Sequence, residues 1–159
     1  MTETTAGEEL STYLQDHLAG SAGGLSLAER LAREEDGPPA EELDRIARDI
    51  DEDRDTLIEL MDRLGVSESR TKQAGAWVGE FLSRLKLRVS AEAGSILRFE
   101  SLIMGITGKL RLWRALIALV DTDARLRRDE LERLESRAAD QLQRLGDLHE
   151  QVARRTLAR

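Results

Sequence analysis

Apolar residues recur every three or four positions along most of the chain, which is the spacing of one face of an α-helix. The pattern is interrupted at Asp36-Gly37-Pro38-Pro39, where proline cannot continue a helix, and at Gly65, which suits the position just after a helix end. The helices predicted from these signals cover residues 6–35, 40–64, 67–88, 95–120 and 127–157.

The stretch 95–120 is the most apolar part of the chain and contains one of the two tryptophans. It also contains Arg98, Lys109 and Arg114, and is therefore too charged to form a membrane-spanning helix. Apolar residues lie on more than one side of this helix. The pattern thus predicts that it is the central member of a helical bundle.

Composition agrees with a single helical domain over residues 1–159. Charged residues make up 35% of the sequence, hydrophobic residues 40% and aromatic residues 3%, and there are two prolines. The absence of cysteine excludes disulfides, thiolate zinc sites and a cysteine nucleophile.

Charge and the first residues indicate where the protein acts. A net charge of −7 argues against binding nucleic acid or an anionic membrane. The opening MTETTAGEEL lacks the basic and apolar regions of a signal peptide, so we expect a cytoplasmic protein without a membrane segment.

The lengths of the connections predict the topology. The first and last connections are short and favour antiparallel helix pairs, whereas 67–88 is long enough to run from one end of a bundle to the other. One long crossover between two hairpins is typical of a ferritin-like four-helix bundle, with 67–88 as the crossover between the second and third bundle helices. The alternative is an up-down bundle in which 67–88 is a fifth full member.

Three segments resemble a bacterial family of small, uncharacterised ferritin-like proteins. They are YLQDHLAGSAGGLSLAERL (Tyr13–Leu31), LDRIARDIDEDRDTLIELMDRLG (Leu43–Gly65) and LRFESLIMGITGKLRLWRAL (Leu97–Leu116). The resemblance covers most of the chain. It implies the four-helix fold and descent from metal-binding bundles, and it supplies no function.

A carboxylate-bridged di-metal bundle needs inward Glu residues from two helices and Glu-x-x-His from the other two. The chain contains no Glu-x-x-His, and Gln141 takes a core position where a carboxylate ligand would be wanted. The remaining candidate ligands for iron or manganese are His17, Asp53 and Glu100. The competing interpretation is a structural His17 that is hydrogen-bonded to an acid such as Asp53, or an Asp53 that is neutralised by Arg54.

Glycines inside helices cost stability, about 1 kcal/mol each relative to alanine, and therefore need a reason. Gly20 and Gly24 in the first helix, and Gly105 and Gly108 in the third bundle helix, have spacings that favour close helix packing. We expect these two pairs to meet, because the first and third helices are neighbours in a ferritin-like bundle.

The serines have no His or Asp partner at a recognisable spacing, so the sequence predicts no catalytic residue and no cofactor. The favoured function is a non-catalytic interaction or scaffold protein with a degenerate ferritin-like metal site, acting as a homodimer. Trp77 and Phe81 are candidate interface residues, with packing onto the bundle end as their alternative role. The alternative function is an iron- or manganese-binding protein with a redox or storage role.

Overall fold

The computed structural model describes residues 3–67 and 91–158, and within them it contains α-helices and no β-strand. The helices are α1 (Glu3–Glu34), α2 (Pro38–Arg63), α3 (Ala91–Ile117) and α4 (Arg128–Leu157). The predicted all-α class is confirmed for this part of the chain. The predictions for 67–88, as a crossover or as a fifth helix, lie outside the described residues except for residue 67 itself.

The predicted break between the first two helices is confirmed at Gly37. This residue adopts φ +66° and precedes Pro38 and Pro39, which occupy the first positions of α2. Proline suits these positions because the first helical N–H groups have no partner within the helix.

The predicted helix end at Gly65 is also confirmed. Gly65 adopts φ +71°, its N–H donates to the Asp62 carbonyl, and the Val66 N–H donates to the Met61 carbonyl at 2.9 Å. These two bonds form a Schellman motif, and Val66 is buried against the core as that motif favours.

α3 ends at Ile117, before the predicted residue 120. The Leu119 N–H donates to the Leu116 carbonyl and the Val120 N–H to the Ile117 carbonyl. Because these bonds span three residues instead of four, the chain tightens into turns that lead to α4.

The four helices form a ring in which each helix packs against two others. α1 contacts α2 and α3, and α4 contacts α2 and α3. Among the described helices, α3 is not central, because it has two neighbours, as each of the others does. Of its apolar residues off the main face, Met104 is 57% exposed, whereas Leu112 is buried at 1% exposure.

Two core clusters fix the helix directions. The first core cluster joins the start of α1, the end of α2, the end of α3 and the start of α4; its members include Leu14, Met61, Trp113 and Leu131. The second joins the opposite ends; its members include Leu31, Leu43, Phe99 and Val152. Neighbouring helices are therefore antiparallel, while the diagonal pairs α1/α4 and α2/α3 are parallel.

Across the described ranges, none of the helices has a stretch both long and apolar enough to cross a membrane.

Candidate functional site

A layer of polar side chains separates the two core clusters at the middle of the bundle. Asp53 lies on α2 between Ile50 and Leu57, which belong to different clusters. Lys109 and Gln141 reach the same level from α3 and α4. We call Asp53, Lys109, Arg137 and Gln141 the polar layer.

Asp53 is the acceptor on which this layer converges. Its carboxylate is 2% exposed, and its Oδ2 accepts from Lys109 Nζ at 2.5 Å and from Gln141 Nε2 at 3.1 Å. Its Oδ1 accepts from Arg137 Nε at 2.7 Å and lies 2.5 Å from the second guanidinium nitrogen. Each carboxylate oxygen thus has two nitrogen atoms within 3.1 Å, and three of these four contacts are hydrogen bonds.

Lys109 and Gln141 complete the same network. Lys109 Nζ also donates to Gln141 Oε1 at 2.5 Å, and Gln141 is 0% exposed. Arg137 reaches outward and donates to Glu52 Oε2 at 3.0 Å. Two cations thus face two carboxylates, and the layer with Glu52 is neutral.

Burial and ion pairing shift the pKa values of Lys109 and Arg137 in opposite directions. Burial lowers the pKa of Lys109 below its ordinary value, while the charge and hydrogen bond of Asp53 oppose this shift. Burial also acts to lower the pKa of Arg137, but the charges and hydrogen bonds of Asp53 and Glu52 outweigh burial and raise this pKa. The free-energy cost of removing the Lys109 ammonium from water is therefore offset by its pairing with Asp53.

The polar layer is suited to holding helices together. A general base or metal ligand needs a free lone pair directed at a proton or ion. Both Asp53 oxygens are occupied by donors, and Lys109 is held between two acceptors. The arrangement fixes α2, α3 and α4 relative to one another.

The structure gives the three candidate metal ligands separate surroundings. His17 stacks edge-on against Tyr13, with ring centroids 4.7 Å apart, and burial lowers the pKa of His17 although Asp16 acts in the opposite direction. Glu100 Oε1 lies 3.3 Å from His149 Nε2 on α4. Asp53 is neutralised by Lys109 and Arg137 instead of by His17 or Arg54.

The donor set does not fit a carboxylate-bridged metal centre. Such a centre draws carboxylates and histidines from facing helices, whereas the polar layer contains one aspartate, one amide and two cations. In the part of the chain that the structure describes, no three His, Asp or Glu side chains form a group that could hold a metal ion.

The expected close packing of the glycines is not observed. A Cβ atom built on Gly20, Gly24, Gly105 or Gly108 would meet no atom within 4 Å among the described residues. α1 and α3 do pack together as predicted, but large side chains in the two core clusters, such as Leu14, Leu31, Phe99 and Trp113, make their contact. The contact between α1 and α3 among the described residues therefore does not depend on these four glycines.

The middle of the α1/α3 side carries a band without charge. α1 has no Asp, Glu, Lys or Arg between residues 17 and 28, and α3 has none between 101 and 108. Gly20, Met104 and Gly105 are exposed within these stretches. We call the exposed surface of 17–28 and 101–108 the uncharged band.

The interface candidates Trp77 and Phe81 lie outside the described residues. Sequence reasoning placed Gln141 on the core face but missed Lys109 as the partner of Asp53. The sequence contained a signal for this partner. Between Ile106 and Trp113 the charged residues are Lys109 and Arg111, and Arg111 is exposed.

Nothing matches the chain among protein-family models, curated proteins and solved structures. The resemblance of Tyr13–Leu31, Leu43–Gly65 and Leu97–Leu116 to ferritin-like bundles therefore stays a prediction.

Proposed function

We propose that this chain is a ferritin-like helical bundle that has lost its metal chemistry and acts by association, pairing with a second copy through the uncharged band. The observation that carries the proposal is the contrast between the sides of the bundle. The α1/α3 side has an exposed middle without charge, whereas α2 exposes Asp51, Glu52 and Asp55 at the corresponding level.

The order and directions of the helices support the ferritin-like part of the proposal. α2 ends in the first core cluster, while α3 starts in the second, at the opposite end of the bundle. These two ends are separated by the length of a helix, about 39 Å for 26 residues. A single long connection between two antiparallel pairs is the ferritin-like arrangement.

The polar layer supports a role without catalysis. Its carboxylate is saturated by donors and its lysine is paired, so neither group is available to a substrate. Arg144, which bonds Glu42 and Asp49, and Arg63, which bonds Glu130, are likewise held by acids on neighbouring helices.

A second copy of the chain is the binding partner that best fits the uncharged band. The net charge of −7 makes two copies repel one another, and charged surface is costly to bury without a partner. The uncharged band avoids that penalty. Its glycines also leave room for another backbone, since their Cβ positions are empty among the described residues.

Met104 provides the most direct test because it is 57% exposed at the centre of the α3 stretch. Met104→Glu would place an unpaired charge in the interface, and we expect the dimer dissociation constant to rise by about tenfold or more in sedimentation equilibrium. The matched control is Ala139→Glu, at an exposed position on α4. Equal dissociation constants for the two variants would contradict association through the band.

A further inference from the structure

We propose that the ammonium group of Lys109 is the resident cation of the bundle: it lies at the middle of the core, where helical bundles build metal sites from facing helices, and it makes the fold independent of metal. The proposal does not depend on self-association, because the polar layer lies in the core of one chain.

The oxygens around Lys109 Nζ are arranged like the ligands of a bound cation. Oxygens from two helices converge on this single atom: Asp53 Oδ2 from α2 and Gln141 Oε1 from α4, each at 2.5 Å. The side chain that carries the cation comes from α3. Three of the four described helices therefore meet at one positive charge.

No described side chain of α1 bonds Lys109 Nζ. α1 passes the polar layer between Leu18 in the first core cluster and Leu27 in the second. Ser21 lies in this interval, and its hydroxyl donates to the Leu18 carbonyl at 2.5 Å. The residues around it in the sequence are small and without charge. Within 3–67 and 91–158, the ammonium group bonds only the oxygens of α2 and α4.

A divalent ion does not fit the charges of the layer. Asp53 is its one buried carboxylate, and Arg137 already holds the other oxygen of that carboxylate. Replacing an ammonium by a divalent ion would leave the layer with excess positive charge beside the Arg137 guanidinium. The two negative charges of Asp53 and Glu52 are balanced by Arg137 and one further positive charge.

If Lys109 serves as a cation, an external cation of the same charge and size should replace it when the side chain is cut back. Lys109→Ala leaves the Asp53 and Gln141 oxygens facing an empty space. We expect the variant to lose about 10 °C in thermal midpoint, because one partner of a buried ion pair is missing. Ammonium chloride should restore a substantial part of this loss, relative to tetramethylammonium chloride at the same ionic strength.

Asp53→Asn combined with Lys109→Ala is the matched control for rescue. The double variant lacks the carboxylate that attracts the ion, so ammonium should not raise its thermal midpoint above that in tetramethylammonium. Equal midpoints of Lys109→Ala in the two salts would overturn the proposal. Lys109→Met, which retains the bulk of the side chain, should be destabilised and show less rescue than Lys109→Ala.

A second measurement uses the wild-type chain and does not require any variant to fold. After dialysis against Mn²⁺, Fe²⁺ or Zn²⁺, we expect no stoichiometric metal in the protein and the same thermal midpoint with or without EDTA. Near-stoichiometric metal in the wild-type chain, with a thermal midpoint that falls when EDTA is added, would overturn the proposal. The midpoints are compared at one protein concentration, so that any self-association contributes equally to both conditions.

Discussion

Asp53 on α2 and Lys109 on α3 join two helices that lie diagonally across the bundle. Their side chains meet at 2.5 Å, although no Cα atoms of these two described helices lie within 8 Å of each other. The ion pair therefore crosses the bundle axis, and Gln141 of α4 bonds both partners. A single carboxylate thus links three helices in one alignment.

Removing the charge of Asp53 should destabilise the protein strongly. In Asp53→Asn, Lys109 and Arg137 remain in the bundle without the carboxylate that compensates them. We expect a loss of about 3 kcal/mol in the free energy of unfolding, measured by urea denaturation.

Asp51→Asn is the control for that experiment, since Asp51 is exposed two residues away on the same helix. Its effect should stay within about 0.5 kcal/mol, as for an ordinary surface substitution. If Asp53→Asn were as mild as Asp51→Asn, the polar layer would not hold the helices together.

Helix ends were predictable from the sequence because their signals are local. Gly37, the two prolines and Gly65 act within a few residues, and the structure places the breaks there. The partner of Asp53 was not predictable in the same way, since Lys109 is 56 positions away and the contact depends on the order of helices round the ring. Glycine spacing likewise predicted close helix contact, but spacing alone does not say whether another backbone lies beside the glycines, and a Cβ built there meets no atom within 4 Å among the described residues.

Alanine at the open glycines should stabilise the fold. A Cβ at Gly20 or Gly105 meets no atom within 4 Å among the described residues, and alanine favours the helix. We expect Gly20→Ala and Gly105→Ala each to add about 0.5–1 kcal/mol to the free energy of unfolding. The measurement belongs in a Met104→Glu background, so that association does not contribute.

Gly65→Ala should have the opposite effect, because φ is +71° at this position and alanine adopts such a conformation with strain. We expect a loss of about 1 kcal/mol. Destabilisation by Gly105→Ala of the same size as by Gly65→Ala would show that Gly105 is closely packed after all.

Acid should weaken two ion pairs between helices. Burial raises the pKa of Glu34 and of Glu42, but hydrogen bonds and charges from arginines outweigh it, and both pKa values lie below the ordinary 4.5. Arg98 of α3 bonds Glu34, and Arg144 of α4 bonds Glu42.

Because the folded-state pKa of each acid is lowered, its contribution is complete above the unfolded-state pKa and is lost as pH falls through the folded-state value. Unfolding free energy should therefore decline below about pH 5. Glu42→Gln should reduce that decline by about 0.5–1 kcal/mol, whereas Glu41→Gln, at an exposed neighbouring position, should not. Identical pH profiles for the two variants would exclude a contribution from Glu42.

The mass of the wild-type chain in solution tests the proposed function most directly. One chain has a mass of 17.8 kDa, and sedimentation equilibrium at micromolar concentration should give twice that value. A mass of one chain throughout the micromolar range would contradict association through the uncharged band.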